Sequence, residues 1–273
     1  MNYISKLFTS FYIKAVYLFV IIVSCQLSIV NSLAQEGSSY ITNFNLSESV
    51  YSNQNWAIVQ DNDEVMLFAN RRGVLTYDGA SWNEISLPDI IFSMVADPQK
   101  GRIYAGCRNG FGYLSKDEKG IYNYTELSAT LKNTAEISKL ETTSDAVYFY
   151  NNETISRCLL SNLNNTQQWA TNPENPFAGT ILLKDKIYVL VSGKGLHVIE
   201  KDSLQIVKGI STAPGEILFS VRYDENRAIV GTGNDELFLF DGKSFTKFLF
   251  EGQKHVAENL LANGVELSDN EIA

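Results

Sequence analysis

The stretch Val65-Met66-Leu67-Phe68-Ala69-Asn70, Arg71-Arg72, Gly73-Val74-Leu75-Thr76-Tyr77-Asp78-Gly79 reads as a β-hairpin. Two runs rich in β-branched and aromatic residues flank a short polar turn. Asp-Gly then closes the second run with the positive φ that a two-residue hairpin turn requires. The same pairing recurs at residues 102–107 with 111–114, 146–150 with 155–159, 186–191 with 196–199, and 228–232 with 237–240. Aligned on the turn, the anchors are Gly73, Gly110, Thr154, Gly195 and Glu236, at separations of 37, 44, 41 and 41 residues. An apolar segment and an acidic or Asn-rich turn precede each pair, and another turn-flanked segment follows it. A period of about 40–45 residues carrying four short strands is the pattern of a propeller blade. Helical solenoids share the period but need runs of 3.6-residue periodicity, and here only the stretch at 255–262 carries a helical signal.

The expected fold is therefore all-β: a β-propeller of four-stranded blades at about 56–85, 90–127, 136–170, 177–209 and 217–250. Residues 264–273 align with 220–229 of the fifth copy. A partial sixth blade is thus expected over 256–273, with the ring not closed in this chain and the chain a fragment of a longer protein. Residues 35–55, rich in Ser and Asn, read as an extended lead-in. Alternation within the strands is incomplete, as expected for sheets buried on both faces. Trp82 and Phe245 each stand three residues beyond an Asp-Gly glycine and are expected to pack between blades.

The first 34 residues read as a cleaved export signal. Lys6 and Lys14 supply positive charge, residues 15–25 are an apolar stretch, and Ser32-Leu33-Ala34 is a small-residue cleavage site. The apolar stretch is shorter than the roughly 20 residues a membrane-spanning helix needs. Ile22-Val23-Ser24-Cys25 resembles a lipobox, so a lipoprotein anchored at Cys25 is the competing reading. Either way the remainder is exported, with a periplasmic location expected. The net charge of −9 disfavours nucleic acid and anionic membrane surfaces as partners. Beyond Cys25 there are two cysteines, Cys107 and Cys158. They read either as a disulfide between neighbouring blades or as two buried thiols.

The residues 53–61 (Asn-Gln-Asn-Trp-Ala-Ile-Val-Gln-Asp), Phe68-Ala69-Asn70, the run 73–79 and Trp82 together resemble the opening blade of the bacterial two-component regulator propeller sensors of the triple-tyrosine-motif type. Gly106, the run Asn109-Gly110-Phe111-Gly112-Tyr113-Leu114, Gly120 and Tyr124 continue the resemblance, and Ile229-Val230-Gly231-Thr232 resembles the repeat core. Blade three departs most, with Asn152-Glu153-Thr154 where a turn glycine is usual. The resemblance implies an exported, ligand-sensing propeller. In the intact protein a β-sandwich, one membrane helix and a cytoplasmic output module would follow, and none of these is in this chain. The alternative is a free-standing exported propeller acting as a protein or glycan interaction module.

No constellation for catalysis, metal or cofactor stands out. His197 and His255 are the only histidines and lack a ligand cluster. Gly193-Lys194-Gly195 and Gly231-Thr232-Gly233 read as hairpin turns, because no helix follows to present amides to a phosphate. Asp61, Asp63, Asp97, Asp145, Asp185 and Asp224 recur at equivalent turns, which argues for turn chemistry rather than a catalytic pair. The candidate ligand-binding residues are Asn70, Arg71, Arg72, Arg108 and Asn109, at the same inter-strand turn of successive blades. Two Arg-bearing turns side by side suit an anionic group, such as that of an acidic glycan.

Overall fold

The computed structural model describes residues 14–19, 44, 54–97, 99–131, 135–210, 213–250, 252–268 and 271–272. The chain divides into two units, residues 1–45 and 46–273. In the first, residues 14–19 are helical and exposed. The rest of the expected export signal, with Cys25 and the expected cleavage site, lies outside the described residues, as does most of the expected lead-in. Among the described residues no helix is long and apolar enough to cross a membrane.

The second unit holds five four-stranded antiparallel sheets, each a meander of consecutive strands. Blade one is Asn55–Gln60 (β1), Met66–Asn70 (β2), Gly73–Tyr77 (β3) and Trp82–Ser86 (β4). Blade two is Ile91–Asp97 (β5), Arg102–Cys107 (β6), Gly110–Lys116 (β7) and Tyr122–Glu126 (β8). Blade three is Lys139–Thr142 (β9), Ala146–Tyr150 (β10), Thr154–Leu159 (β11) and Asn162–Ala170 (β12). Blade four is Phe177–Leu183 (β13), Lys186–Val191 (β14), Gly195–Glu200 (β15) and Ser203–Ile206 (β16). Blade five is Ile217–Arg222 (β17), Ala228–Thr232 (β18), Glu236–Phe240 (β19) and Phe245–Lys247 (β20). Glu266–Ser268 (β21) and Glu271–Ile272 (β22) form a further hairpin. The first strands lie beside one another, β1 with β5, β5 with β9, and β13 with β17. Those of blades one, two, four and five carry an irregularity near their start, for instance between Ile91 and Ser93.

Burial explains why the middle strands read as continuous apolar runs. On β6, Ile103, Ala105 and Cys107 pack toward blade one against Leu67, Ala69 and Val74. Tyr104, between them, points the other way and joins Phe111, Val147, Phe149 and Cys158. Phe111 stacks on Phe149 across the two blades with ring centroids 4.0 Å apart. Tyr148, Tyr150 and Ile155 face Ile187 and Val189 of blade four, and Leu183 and Leu190 face Ala228, Val230 and Phe240 of blade five. Every residue of β10 and β18 is buried. With both faces covered, period-two alternation has no solvent face to mark.

Several local expectations are corrected. The Asp-Gly turns are four-residue loops, because Tyr77 pairs with Trp82 and Phe240 with Phe245. Asp78 Oδ1 accepts the Ala80 and Ser81 amides, and Asp241 does the same for Lys243 and Ser244. Gly79 and Gly242 take φ of 92° and 89°, open to glycine without strain. Trp82 packs within its own blade, stacking on Tyr77 at 4.6 Å and lying 5.4 Å from Phe68. Phe245 stacks on Phe240, which meets Tyr188 of blade four, so this aromatic reaches an inter-blade core. Gly231 is a strand residue of β18, where a side chain would strike the Phe219 ring. The helix spans Gln253–Glu258, earlier than expected. The Asn259 amide side chain caps His255 O, and Asp235 accepts the Leu261 amide and draws the chain back to blade five.

Candidate functional site

The turn between the second and third strands of each blade shares one face with the linkers between blades. This is the face that held the sequence candidates. Asn70 is 4% exposed. Its Nδ2 donates to Gln54 O and Asn55 Oδ1, while its Oδ1 accepts the Arg72 amide. It therefore ties the turn to the start of β1, and a side chain so engaged presents little to a ligand. Asn109 donates through both its amide and its side chain to Asp89 Oδ2, which anchors that turn to the preceding linker. Arg72 is exposed and lies 3.5 Å from Glu84. Arg71 and Arg108 are exposed, with no ion pair among the described residues. The five candidates thus sort into two turn-building asparagines, one paired arginine and two solvated guanidinium groups.

Blade three achieves the same turn without glycine. Asn151 Oδ1 accepts the Glu153 and Thr154 amides, and these bonds form the bend that Gly73 and Gly110 form with positive φ elsewhere.

Clefts among the described residues mark concave surface as well. One, about 510 Å³, lies on that same face around the turn of blade four, with Asn152, Phe177, Ser192, Gly193 and Glu216 in its wall. A second, about 460 Å³, opens beside the first strands of blades four and five. Its charges are largely self-paired, Arg222 with Glu266 at 2.8 Å and Arg227 with Asp224 at 2.6 Å. A third, about 280 Å³, separates blades one and two on the opposite face, at Asp61, Asp97, Lys100 and Lys116. There Lys116 Nζ bridges Asp61 and Asp63 at 2.6 Å each, and Tyr122 donates to Asp61. Burial would raise the Asp61 carboxyl. The bonds from Lys116, Tyr122 and the Val65 and Asp63 amides outweigh it and hold the group below its ordinary value.

Of the recurring turn carboxylates, Asp61, Asp97 and Asp224 each accept backbone amides of their own turn. Asp185 instead reaches across to Ser144 of blade three. His197 is half-buried on β15, with Nδ1 3.0 Å from Gly195 O. Cys107 and Cys158 are free, buried thiols in different inter-blade cores. Among the described residues no group of three or more His, Cys, Asp or Glu side chains is placed to hold a metal. From sequence, Gly193 reads as a hairpin turn and Asn152 as the departure of blade three, and neither they nor Glu216 stand among the binding candidates. The available signal was Gly193, standing where the other blades carry Arg71, Arg108, Asn152 and Asn234.

Comparison with solved structures matches this arrangement of sheets. The extracellular domain of BT4673 from B. thetaiotaomicron, described as a one-component system, superposes with a TM-score of 0.54 over 71% of this chain, at 14% identity. The extracellular domain of BT3049 from the same organism, described as a hybrid two-component system, gives 0.56 over 80% at 15% identity. Virginiamycin B lyase from Staphylococcus aureus gives 0.53 over 71% at 14% identity, with 69% of that chain covered. The fold is a β-propeller. The likeness is one of propeller blades, and it spans 27% of the BT4673 domain and 31% of the BT3049 domain. Among these neighbours the propeller serves a lyase and the extracellular domains of one- and two-component systems alike, so the fold alone assigns no chemistry. No protein-family model and no curated protein matches the sequence.

Proposed function

We propose that this chain is the exported, ligand-sensing propeller of a bacterial receptor of the two-component or transcription-regulator type. The observation that carries the reading is the likeness of its blades to two extracellular sensor domains, each far longer than this chain. The expected export signal supports a periplasmic location. In the intact receptor a membrane helix and a cytoplasmic output module convert ligand occupancy into a signal. Arg71 and Arg108, exposed on neighbouring turns, are the groups to receive an anionic ligand such as an acidic glycan. The reading frame beyond codon 273 tests the proposal. It is expected to continue through further blades to a membrane helix and an output module. A chromosomal stop directly after Ala273 would overturn it.

A further inference from the structure

The cleft of blade four is open because bulk is missing from it. Two residues before the third strand, blades one, two, three and five carry Arg71, Arg108, Asn152 and Asn234, and blade four, whose turn like that of blade five has three residues, carries Gly193. Its φ of 73° is one that a side chain rarely adopts. Ala213 and Gly215 continue the bare surface on the linker to blade five, and Ser192 adds only a hydroxyl. Pro176, Phe177, Leu190 and Val191 make the inner wall apolar. Two side chains bring polar capacity. The Asn152 side chain makes no hydrogen bond among the described residues, and Glu216 is exposed. Glu216 is the single lining residue with a formal charge, and its carboxylate forms no ion pair among the described residues.

We infer that this cleft binds a small amphipathic cation, with its ammonium at Glu216 and its apolar body against Pro176 and Phe177. The volume suits such a ligand. An anion is repelled by Glu216 and meets no lining cation. The site is separate in place and in charge preference from the arginine-bearing turns, and it is the same whether the propeller signals or stands alone.

The probe is 2-phenylethylamine, with phenylacetate as its anionic counterpart, titrated against the full chain by ligand-observed NMR at low salt. The amine is expected to bind and phenylacetate not to. Glu216→Gln is expected to weaken the amine roughly fivefold, the scale of one exposed ion pair. Ser192→Leu, which fills the cleft, is expected to abolish binding, with the melting temperature checking that the chain still folds. The inference is overturned if the amine does not bind, if phenylacetate binds equally well, or if Glu216→Gln leaves the amine's affinity unchanged.

Discussion

Lys116 Nζ, at the end of the third strand of blade two, lies 2.6 Å from Asp61 Oδ2 in the first turn of blade one. The Asp61 side chain is 10% exposed, while that of Asp63, the second partner of the lysine, is 70% exposed. One bridge is therefore shielded and the other solvated, although their lengths are equal. Shielding decides which matters, because an exposed pair is screened and contributes little. Asp61 also accepts two backbone amides and the Tyr122 hydroxyl, so neutralising it disturbs four donors at once.

Asp61→Asn is expected to destabilise the propeller by about 1.5–3 kcal/mol, the range for hydrogen bonds to a charged group. Asp63→Asn is expected to cost about 0–1 kcal/mol. Urea unfolding followed by tryptophan fluorescence measures both. Equal losses at the two sites would show that the shielding of Asp61 does not matter.

The same carboxylate fixes a pH dependence. Its folded value lies below its unfolded one. Its contribution is therefore complete above the ordinary aspartate range near 3.9 and is lost as pH falls through the lower, folded value. Lys116 is raised: burial opposes its charge, but the bonds to Asp61 and Asp63 prevail. Its contribution is complete below the ordinary lysine value and is lost only as pH rises through the higher, folded one. Wild type is expected to lose more stability than Asp61→Asn between about pH 5 and pH 3. Parallel curves for the two proteins over that interval would rule out the linkage.

The two thiols are expected to be inert in the folded protein. Burial pushes the Cys107 thiol up to about 11 despite its contact with the Tyr124 hydroxyl, and burial raises Cys158 as well. The thiolate is the nucleophile, so neither reacts readily at neutral pH. In a chain carrying Cys25→Ser, N-ethylmaleimide is expected to add nothing before denaturation and two equivalents after it, read by intact mass. Failure to add two equivalents under denaturing, non-reducing conditions would reveal a disulfide.

Much of this architecture was legible because it is periodic. The hairpin at Gly73, repeated at Gly110, Thr154, Gly195 and Glu236, fixed five blades before any coordinate. Burial on both faces explained the apolar run at 146–150. What escaped depends on turn register and on side-chain partners that a linear reading does not pair. The separation between Tyr77 and Trp82 reads equally as a short turn with a frayed strand or as a four-residue loop, and only the amides bound by Asp78 decide it. Burial of the Asn70 amide depends on Gln54 and Asn55, some 15 residues away. The blade-four cleft was hidden for a different reason. It consists of side chains that are missing, and a glycine at a turn reads as turn chemistry unless it is compared with the same position in its sister blades.

The candidate residues separate by stability and binding. Asn70→Ala is expected to lower stability by about 1–3 kcal/mol, because it removes the side-chain bonds that tie the turn to the start of β1. Arg108→Ala is expected to leave the melting temperature unchanged and, in the closed full-length propeller, to weaken an acidic oligosaccharide by about 1–3 kcal/mol. Salt should weaken that binding in wild type, since charges on an exposed turn are screened over about 8–10 Å. Thermal melts and calorimetric titration of both variants resolve the two roles. Unchanged affinity in Arg108→Ala would leave the arginine a solvated turn residue.

Gly106 on β6 locates the junction between blades two and three. A methyl group there would overlap Ser93 Oγ and the Ile137 side chain. Those two residues are themselves joined, because Ser93 Oγ donates to Ile137 O at 2.8 Å. The extra carbon therefore cannot be absorbed by a rotamer change alone, since it must part a hydrogen bond between first-strand segments of neighbouring blades. Gly106→Ala is expected to cost about 1–3 kcal/mol, the usual penalty for overpacking a filled core. The loss should be local, because each blade draws much of its stability from the neighbours it touches. Hydrogen exchange is expected to accelerate first at the amides of β5 and β9, while the junction of blades four and five keeps its protection. A uniform rise in exchange across all five blades would mean that they unfold as one cooperative unit.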